Sequence, residues 1–403
     1  MRAGQRLELL ESNPTFTIAE RIVRELQKAG YLTVLAGGCV RDSLLGVKPK
    51  DLDIATGATP EVVEELFLKT LAVGKDFGTI VVVEDGHNFE VTTFRREGPY
   101  EDGRHPSSVT FTDAAEDARR RDFTVNALFY DPLEREVIDF VGGLDDLHKK
   151  ILRAVGNPSE RFREDRLRML RAIRFVAQLG FELESSAMQA IQEQAEELKV
   201  ISAERILNEV KRFLSAEHLW MGMKALLESG LERRFWPELS SFDVAKLKDH
   251  PRFLSWENTF AAISLMVPFE DVETRLRSWK SSKDSLRSVE AQRKGLRVLM
   301  NQNSSRAARA RVLGGEVFAE VLLLAEIFMS ADQLEKIVEE FLQVSTKGEL
   351  PKPFVTGEDL VGLGIAPGAQ MGALLKETYD QQLEGRLTSK SAALEQIKQK
   401  IKA

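Results

Sequence analysis

Gly37-Gly38-Cys39-Val40-Arg41-Asp42, joined by a short link to Asp51-Leu52-Asp53-Ile54, is the stretch on which the reading of this chain turns. A glycine pair ahead of a helical segment lets backbone amides come close to a phosphate, and the helix N-terminus adds positive potential there. The alternation over 51–54 predicts a strand, with Asp51 and Asp53 on one face and Leu52 and Ile54 in the core. Two carboxylates so placed are candidate ligands for Mg2+ in a two-metal phosphoryl or nucleotidyl transfer site. An Asp-x-Asp pair also occurs on solvated strand edges and turns, so the rest of the chain has to decide between these readings.

Bulk properties narrow the choice. The 403 residues exceed what one hydrophobic core serves, and 43% apolar residues suffice to build two to four modules. Apolar runs such as 260–269 are too short to cross a bilayer, and the first residues lack a basic segment followed by an apolar signal core. A soluble, cytoplasmic protein is therefore expected. The single cysteine, Cys39, excludes an internal disulfide framework and a Cys-based zinc site. Five scattered histidines with no His-Asp dipeptide argue against a histidine metal cluster or a metal-dependent phosphohydrolase. The net charge of −7 counts against nucleic acid only if it is evenly spread. Residues 275–311 are dense in arginine and lysine, with Asp284 and Glu290 as their carboxylates, and predict a surface for an RNA backbone.

Along the chain, residues 15–30 predict a first helix, with Ile18, Ile22 and Leu26 near helical spacing and Gly30 as its stop. Residues 31–36 predict a strand delivering the chain to Gly37, and 52–55 the next strand. Thr59-Pro60-Glu61 opens a helix with Val62, Val63, Leu66 and Phe67 facing inward. Segments 79–83 and 89–94 flank Asp85-Gly86, a strong hairpin signal, and put Glu90 with Thr92 opposite Phe89 and Val91. The expected fold class is an α/β head of about 150 residues with a small, mixed, largely antiparallel sheet. Behind it apolar residues recur every three or four positions, so all-α modules follow. The charged segment 95–106 comes directly after a site strand, where a mobile lid is expected.

Four ordered elements carry chemistry: 37–42, 51–53, Arg120-Arg121-Asp122-Phe123-Thr124-Val125-Asn126-Ala127, and the run from Arg163-Glu164-Asp165-Arg166-Leu167-Arg168 through Arg171-Ala172-Ile173-Arg174-Phe175. In this order they resemble the class II tRNA nucleotidyltransferase and poly(A) polymerase family, and 139–153 and 355–390 extend the resemblance over essentially the whole chain. The resemblance implies a seahorse-shaped molecule with a nucleotidyltransferase head over 1–150. A helical neck for base recognition over 151–215, a helical body over 216–335 and a tail over 336–403 would follow, the last two binding tRNA. It implies an enzyme that adds or repairs the 3′-terminal CCA of tRNA without a nucleic-acid template, from CTP and ATP, releasing pyrophosphate. Mg2+ would be its cofactor and the tRNA acceptor stem and elbow its contacts, with no membrane and no obligate protein partner. Addition of A alone beside a separate CC-adding enzyme, poly(A) polymerase activity, and a catalytically silent tRNA-binding role are the alternatives. Tyr100-Glu101-Asp102-Gly103-Arg104 is similar to the family's flexible loop, which lets the pocket change from C to A. Leu363-Gly364-Ile365-Ala366-Pro367-Gly368 predicts a glycine-bounded turn before a helix with proline first, and its contact with the tRNA elbow rests on the resemblance.

Site residues follow from both lines of reasoning. One metal at Asp51 and Asp53 would lower the pKa of the RNA 3′ hydroxyl while the other holds the triphosphate and the leaving pyrophosphate. Glu90, on a neighbouring strand, is the candidate third carboxylate. Gly37, Gly38 and Arg41 match the family's phosphate contacts. Arg121, with Asp122 and Asn126, is expected at the triphosphate and sugar, guanidinium forks suiting phosphate oxygens. Residues 165–175 predict a helix with Leu170, Ile173 and Ala177 as its apolar stripe and Asp165 and Arg168 as surface neighbours. An acceptor beside a donor complements N4 and N3 of cytosine and N6 and N1 of adenine, whereas uracil and guanine present the reverse. Each satisfied pair is worth about 1–3 kcal/mol of discrimination. The family uses the matching Asp and Arg as an amino-acid template, and its arginines at the positions of Arg171 and Arg174 help bind the incoming nucleotide.

Overall fold

Short apolar segments separated by turn residues assemble the sheet that carries the site. The computed structural model describes residues 2–4, 7–98, 108–248 and 255–402, and its contacts divide into two units, Met1–Pro237 and Glu238–Ala403. The boundary expected near 150 falls inside the first unit. In chain order the strands of this unit's head are β1 (Arg2–Gly4), β2 (Thr33–Ala36), β3 (Ile54–Thr56), β4 (Thr70–Leu71), β5 (Thr79–Glu84), β6 (His87–Thr93), β7 (Arg95–Glu97), β8 (Val109–Phe111), β9 (Leu128–Asp131) and β10 (Glu136–Asp139). Eight of them form one sheet in the order β1-β10-β9-β2-β3-β6-β5-β4, while β7 and β8 pair separately.

Every neighbouring pair in the large sheet is antiparallel except β3 and β6. That parallel pair sets Ile54 opposite Val91, which brings Asp53, just before β3, close to Glu90 on β6. The β5–β6 hairpin turns at Asp85 and Gly86, with φ of 50° and 78°, as the right-handed twist of its strands favours. The helix Phe16–Lys28 buries Phe16, Ala19, Ile22, Val23 and Leu26 against β2 and β3. Each such large side chain, fully buried, contributes about 1.5–3 kcal/mol. Val34, Ala55, Phe94, Phe129 and Ile138 continue the core across the sheet.

Local expectations fail in instructive places. Asp51 and Asp53 precede β3 rather than belong to it, although burial still alternates, with Leu52 and Ile54 buried and both aspartates exposed. In the helix Pro60–Leu66 only Pro60 and Val63 are buried, and Leu66 is exposed. Part of the expected loop 95–106 is strand β7, and its central motif 100–104 lies outside the described residues.

Past the head, the helices Leu167–Leu179, Ala203–Leu214 and Leu219–Ser229 pack on one another. Gly222 makes this possible: a Cβ there would stand 2.5 Å from the Ala177 Cβ and 2.7 Å from the Phe213 ring. A two-stranded parallel pair, β11 (Ile151–Leu152) with β12 (Glu182–Leu183), joins the two parts.

The second unit is helical, its elements running from Trp256–Ile263 to Lys390–Lys402. Capping boxes at Ser330/Gln333 and Thr356/Asp359 start two of its helices. The basic stretch 275–311 is not one free cationic face. Arg275 pairs with Glu238, Arg277 with Glu273, Lys294 with Glu290, Arg309 with Glu340 and Arg311 with Asp380. Arg293 is buried and Arg297 donates to the carbonyls of Leu265 and Val267. Arg275, Arg293, Arg297, Arg309 and Arg311 thus serve contacts between elements, while Arg277, Arg287 and Lys294 stay exposed beside carboxylates of their own helices. The helix after the turn at 363–368 begins at Ala369 with Gly368 as its N-cap, so Pro367 precedes it rather than opening it.

Candidate active site

A cavity of about 760 Å³ opens in the first unit, lined on the sheet side by Ala36, Gly37, Gly38, Asp53 and Glu90 and on the other by Arg121, Asp122, Asp165, Arg168, Arg171 and Arg174. Among the expected site residues, Arg41 and Asn126 also line it, and Asp51 does not. The segment between β2 and β3 builds one wall. β2 ends at Ala36, whose N–H donates to the Asp53 carbonyl at 2.9 Å. The chain then turns through Gly37 at φ 73° and ψ −123° into the helix Gly38–Leu44. Only glycine adopts that backbone freely. A Cβ on Gly37 would also lie 2.8 Å from a terminal nitrogen of Arg121, so the glycine makes room for a guanidinium as well as for the turn.

The arginines are held before any ligand arrives. Arg41, buried, donates to Asp42 at 2.6 and 2.8 Å and to the side-chain oxygen of Asn126. Arg121 donates to the Asn126 carbonyl at 3.1 Å and pairs with Asp117 at 3.1 Å, its guanidinium 4.9 Å from the Phe129 ring centroid. Asp117 is itself buried. Burial raises its carboxyl pKa, but the guanidiniums of Arg120 and Arg121 and the N–H of Arg95 outweigh that and leave it below the ordinary carboxylate range.

Asp122 uses both oxygens within the protein. One accepts from the Phe123 N–H at 2.8 Å and from Asn126 at 3.0 Å, the other from Arg171 at 2.5 and 2.9 Å. Burial pushes its pKa up, yet the Arg171 charge and these hydrogen bonds carry it well below the usual value. A carboxyl that binds its proton less readily folded than unfolded gives stability that is complete above about pH 4 and lost as pH falls through the folded value. Asp122→Asn should therefore cost about 3 kcal/mol at pH 7 and flatten the acid side of the stability curve. Thermal melting between pH 7 and pH 3 checks this, and parallel curves for variant and wild type would contradict it.

The second half of the cavity differs from the sequence expectation. Asp165 is the residue after the helix Pro158–Glu164, and the next helix, Leu167–Leu179, starts beyond it. The Asp165 carboxylate accepts from the Leu167 N–H at 3.0 Å and from Arg205 at 2.7 Å. Arg168, 7% exposed, donates to Glu164 at 2.6 Å and to the carbonyls of Arg161 and Arg120, both at 3.2 Å. Asp165 and Arg168 thus face the same cavity, the Arg168 N–H donating to the Asp165 carbonyl at 2.9 Å while their side chains bond to Arg205 and Glu164 respectively. Leu170, Ile173 and Ala177 are buried as expected, but so is Arg174, which donates to Glu209 at 2.5 Å.

Sequence reading missed the partners that orient these groups: Asp117, Arg205 and Glu209. Glu209 carried a signal, since it falls between Ile206 and Phe213 on the apolar face of the helix Ala203–Leu214 and is 6% exposed. A carboxylate on an apolar face implies a buried cation opposite. Cys39 has no such role: its thiol donates to the Ala36 carbonyl at 3.3 Å, and burial pushes its pKa up to about 12.

At the end of the sheet the Asp53 carboxyl titrates above its ordinary range. Lost hydration is the main cause, with the charges of Glu90 and Asp51 adding to it against the pull of Arg121. Among the described residues no three His, Cys, Asp or Glu side chains converge into a ready-made metal cage. Hard oxygen donors that repel one another nevertheless suit a dication, and Mg2+ commonly takes one or two carboxylates and completes its shell with water and substrate phosphate.

Residues 33–153 match the poly A polymerase head domain, 180–243 an RNA and SrmB-binding site of polymerase A, and 252–397 a second domain of tRNA nucleotidyltransferases. A CCA-adding enzyme of Pediococcus pentosaceus is 36% identical, over 94% of this chain and 96% of its own. The chain belongs to the class II tRNA nucleotidyltransferase family. A crystal structure of the Bacillus stearothermophilus CCA-adding enzyme in complex with CTP superposes with a TM-score of 0.78 at 31% identity, covering 97% of this chain and 99% of the other. The Thermotoga maritima CCA-adding enzyme complexed with tRNA shares the fold, with a TM-score of 0.70 at 19% identity over 98% of each chain. Nucleotidyltransferases of this family generally use divalent metals. Among the described residues no helix is long and apolar enough to cross a membrane.

Proposed function

We propose that this nucleotidyltransferase adds or repairs the 3′-terminal CCA of tRNA from CTP and ATP, without a nucleic-acid template and with release of pyrophosphate. The observation that carries the reading is the single cavity in which the Asp53 and Glu90 carboxylates, the Gly37-Gly38 turn with Arg41 and Arg121, and the Asp165/Arg168 pair all meet. Family membership over nearly the full chain supports it. The functional division is a head over 1–150, a base-reading neck over 151–215, and a body over 216–335 and tail over 336–403 for tRNA. A cytoplasmic location suits those substrates.

Asp51 and Asp53 would hold Mg2+, which when bound activates the RNA 3′ hydroxyl and neutralises charge on the triphosphate and leaving pyrophosphate. Glu90 adds a third carboxylate beside Asp53. Gly37 and Gly38 let the phosphates approach the backbone, while Arg41 and Arg121 present donors already fixed by Asp42, Asp117 and Asn126. Asp122 acts beneath them by holding Arg171 and Asn126 in place. At the base, the amino group of C or A donates to Asp165, whose oxygens keep lone pairs beyond those used by Arg205 and Leu167, and Arg168 donates to the ring nitrogen. Arg171 and Arg174 border the same nucleotide.

Asp165→Ala and Arg168→Ala test the base-reading step. Each should reduce the preference for CTP and ATP over UTP and GTP by about 5- to 150-fold, the equivalent of one lost base-edge pair. Competition assays on tRNA lacking its 3′ end, read by sequencing the products, measure that preference. A preference unchanged in both variants would remove these residues from base selection.

A further inference from the structure

Phe175, on the helix Leu167–Leu179, is 5% exposed and forms part of the cavity wall. It meets the Phe123 ring edge-on, centroids 5.6 Å apart. Three guanidiniums gather around it: Arg174 at 3.9 Å, Arg41 at 5.3 Å and Arg171 at 5.4 Å from the ring centroid. They come from two parts of the chain, Arg41 from the helix after the Gly37 turn and the other two from the helix of Phe175 itself. Arg41 has Asp42 as its carboxylate, Arg171 has Asp122, and Arg174 has Glu209. A carboxylate draws each cation toward its own corner, whereas the negative face of the ring attracts all three toward one centre. Packed this closely the cations also repel one another, which attraction to one aromatic ring offsets.

We propose that Phe175 is a positioning residue that gathers Arg41, Arg171 and Arg174 into one cationic wall, so that the phosphate and base sides of the incoming nucleotide are engaged together. This rests on the reading of the cavity as the nucleotide site. The contacts of the ring are with guanidiniums and with Phe123, so its effect falls on nucleotide binding and spares kcat. It touches guanidiniums rather than a base edge, so CTP and ATP are affected alike.

The test measures Kd for CTP and for ATP with the full chain, alongside kcat for tRNA extension and the melting temperature. Phe175→Leu should raise both Kd values about tenfold at near-constant kcat, while Phe175→Tyr, which keeps the aromatic face, stays within about twofold of wild type. Trifluorophenylalanine at position 175 keeps the shape but weakens the face, and should give an intermediate Kd. Wild-type affinity with the fluorinated ring, or equal shifts for Leu and Tyr, would overturn the proposal. If the Leu variant does not fold, the fluorinated ring decides alone. A wild-type protein that binds both nucleotides but extends no tRNA defeats the functional reading, and the Kd series still judges Phe175. Absence of nucleotide binding defeats both.

Discussion

Asp53→Ala should abolish nucleotide incorporation, lowering kcat by about a thousandfold or more, while the variant still binds CTP, ATP and tRNA. The magnitude follows from the role proposed for the carboxylate: it would anchor a divalent metal that activates the 3′ hydroxyl and shields the triphosphate, and several kcal/mol of transition-state stabilisation would go with it. The fold should not suffer. Asp53 is crowded by the charges of Glu90 and Asp51 and its side chain fills no core, so the melting temperature is expected at or slightly above that of wild type. Asp51→Ala should give the same loss of incorporation. Labelled CTP added to tRNA that lacks its 3′ end measures the rate, and equilibrium binding separates chemistry from affinity. Either variant working within tenfold of wild type would take the metal-holding role away from that residue.

Adjacent glycines should behave in opposite ways. Gly37→Ala places a side chain at φ 73° and ψ −123° and forces the Arg121 guanidinium, 2.8 Å from the new Cβ, out of its position. The backbone strain alone costs about 1–3 kcal/mol, which for a unit of this size lowers the melting temperature by about 2–4 °C per kcal/mol. Displacing Arg121 also breaks its ties to Asp117 and the Asn126 carbonyl, so the KM for both nucleotides should rise at least about tenfold. Gly38→Ala meets only Arg41, at 3.7 Å, from a helical backbone, and should leave the melting temperature unchanged. Melting curves and KM values for the two variants form a matched pair, and equal destabilisation would refute the assigned turn.

The reach of the sequence can be followed through single residues. Alternation puts Glu90 on a face with Thr92 and suggests a third carboxylate on a neighbouring strand, but only the β3–β6 register brings it beside Asp53. The hairpin at Asp85-Gly86 was legible because that dipeptide tolerates the left-handed turn. Asp165 was misplaced onto a helix because a three-residue spacing predicts a helical neighbour, while the actual break after Glu164 depends on the bonds to Leu167 and Arg205. The basic stretch divides for a similar reason, with Arg277, Arg287 and Lys294 exposed and others drawn into packing. Arg275, Arg309 and Arg311 find carboxylates on elements far away in the chain, which a local count of charge cannot see.

By itself, then, the sequence determined which groups are candidates for the site. The glycine pair, the aspartates of 51–53, the arginines of 120–121 and 168–174, and the order of head and helices are local properties of spacing and residue type. Only the tertiary structure decided how those groups are held: Arg121 in the space Gly37 leaves open, Arg174 on Glu209, Asp165 on Arg205, and three guanidiniums around Phe175. The physical reason is that a charge buried in a cavity wall needs a counter-group at hydrogen-bond distance. Arg121 finds its carboxylate four residues back, at Asp117, but for Asp165, Arg171 and Arg174 the chain supplies the partner from another helix or loop, at a separation that no local period records.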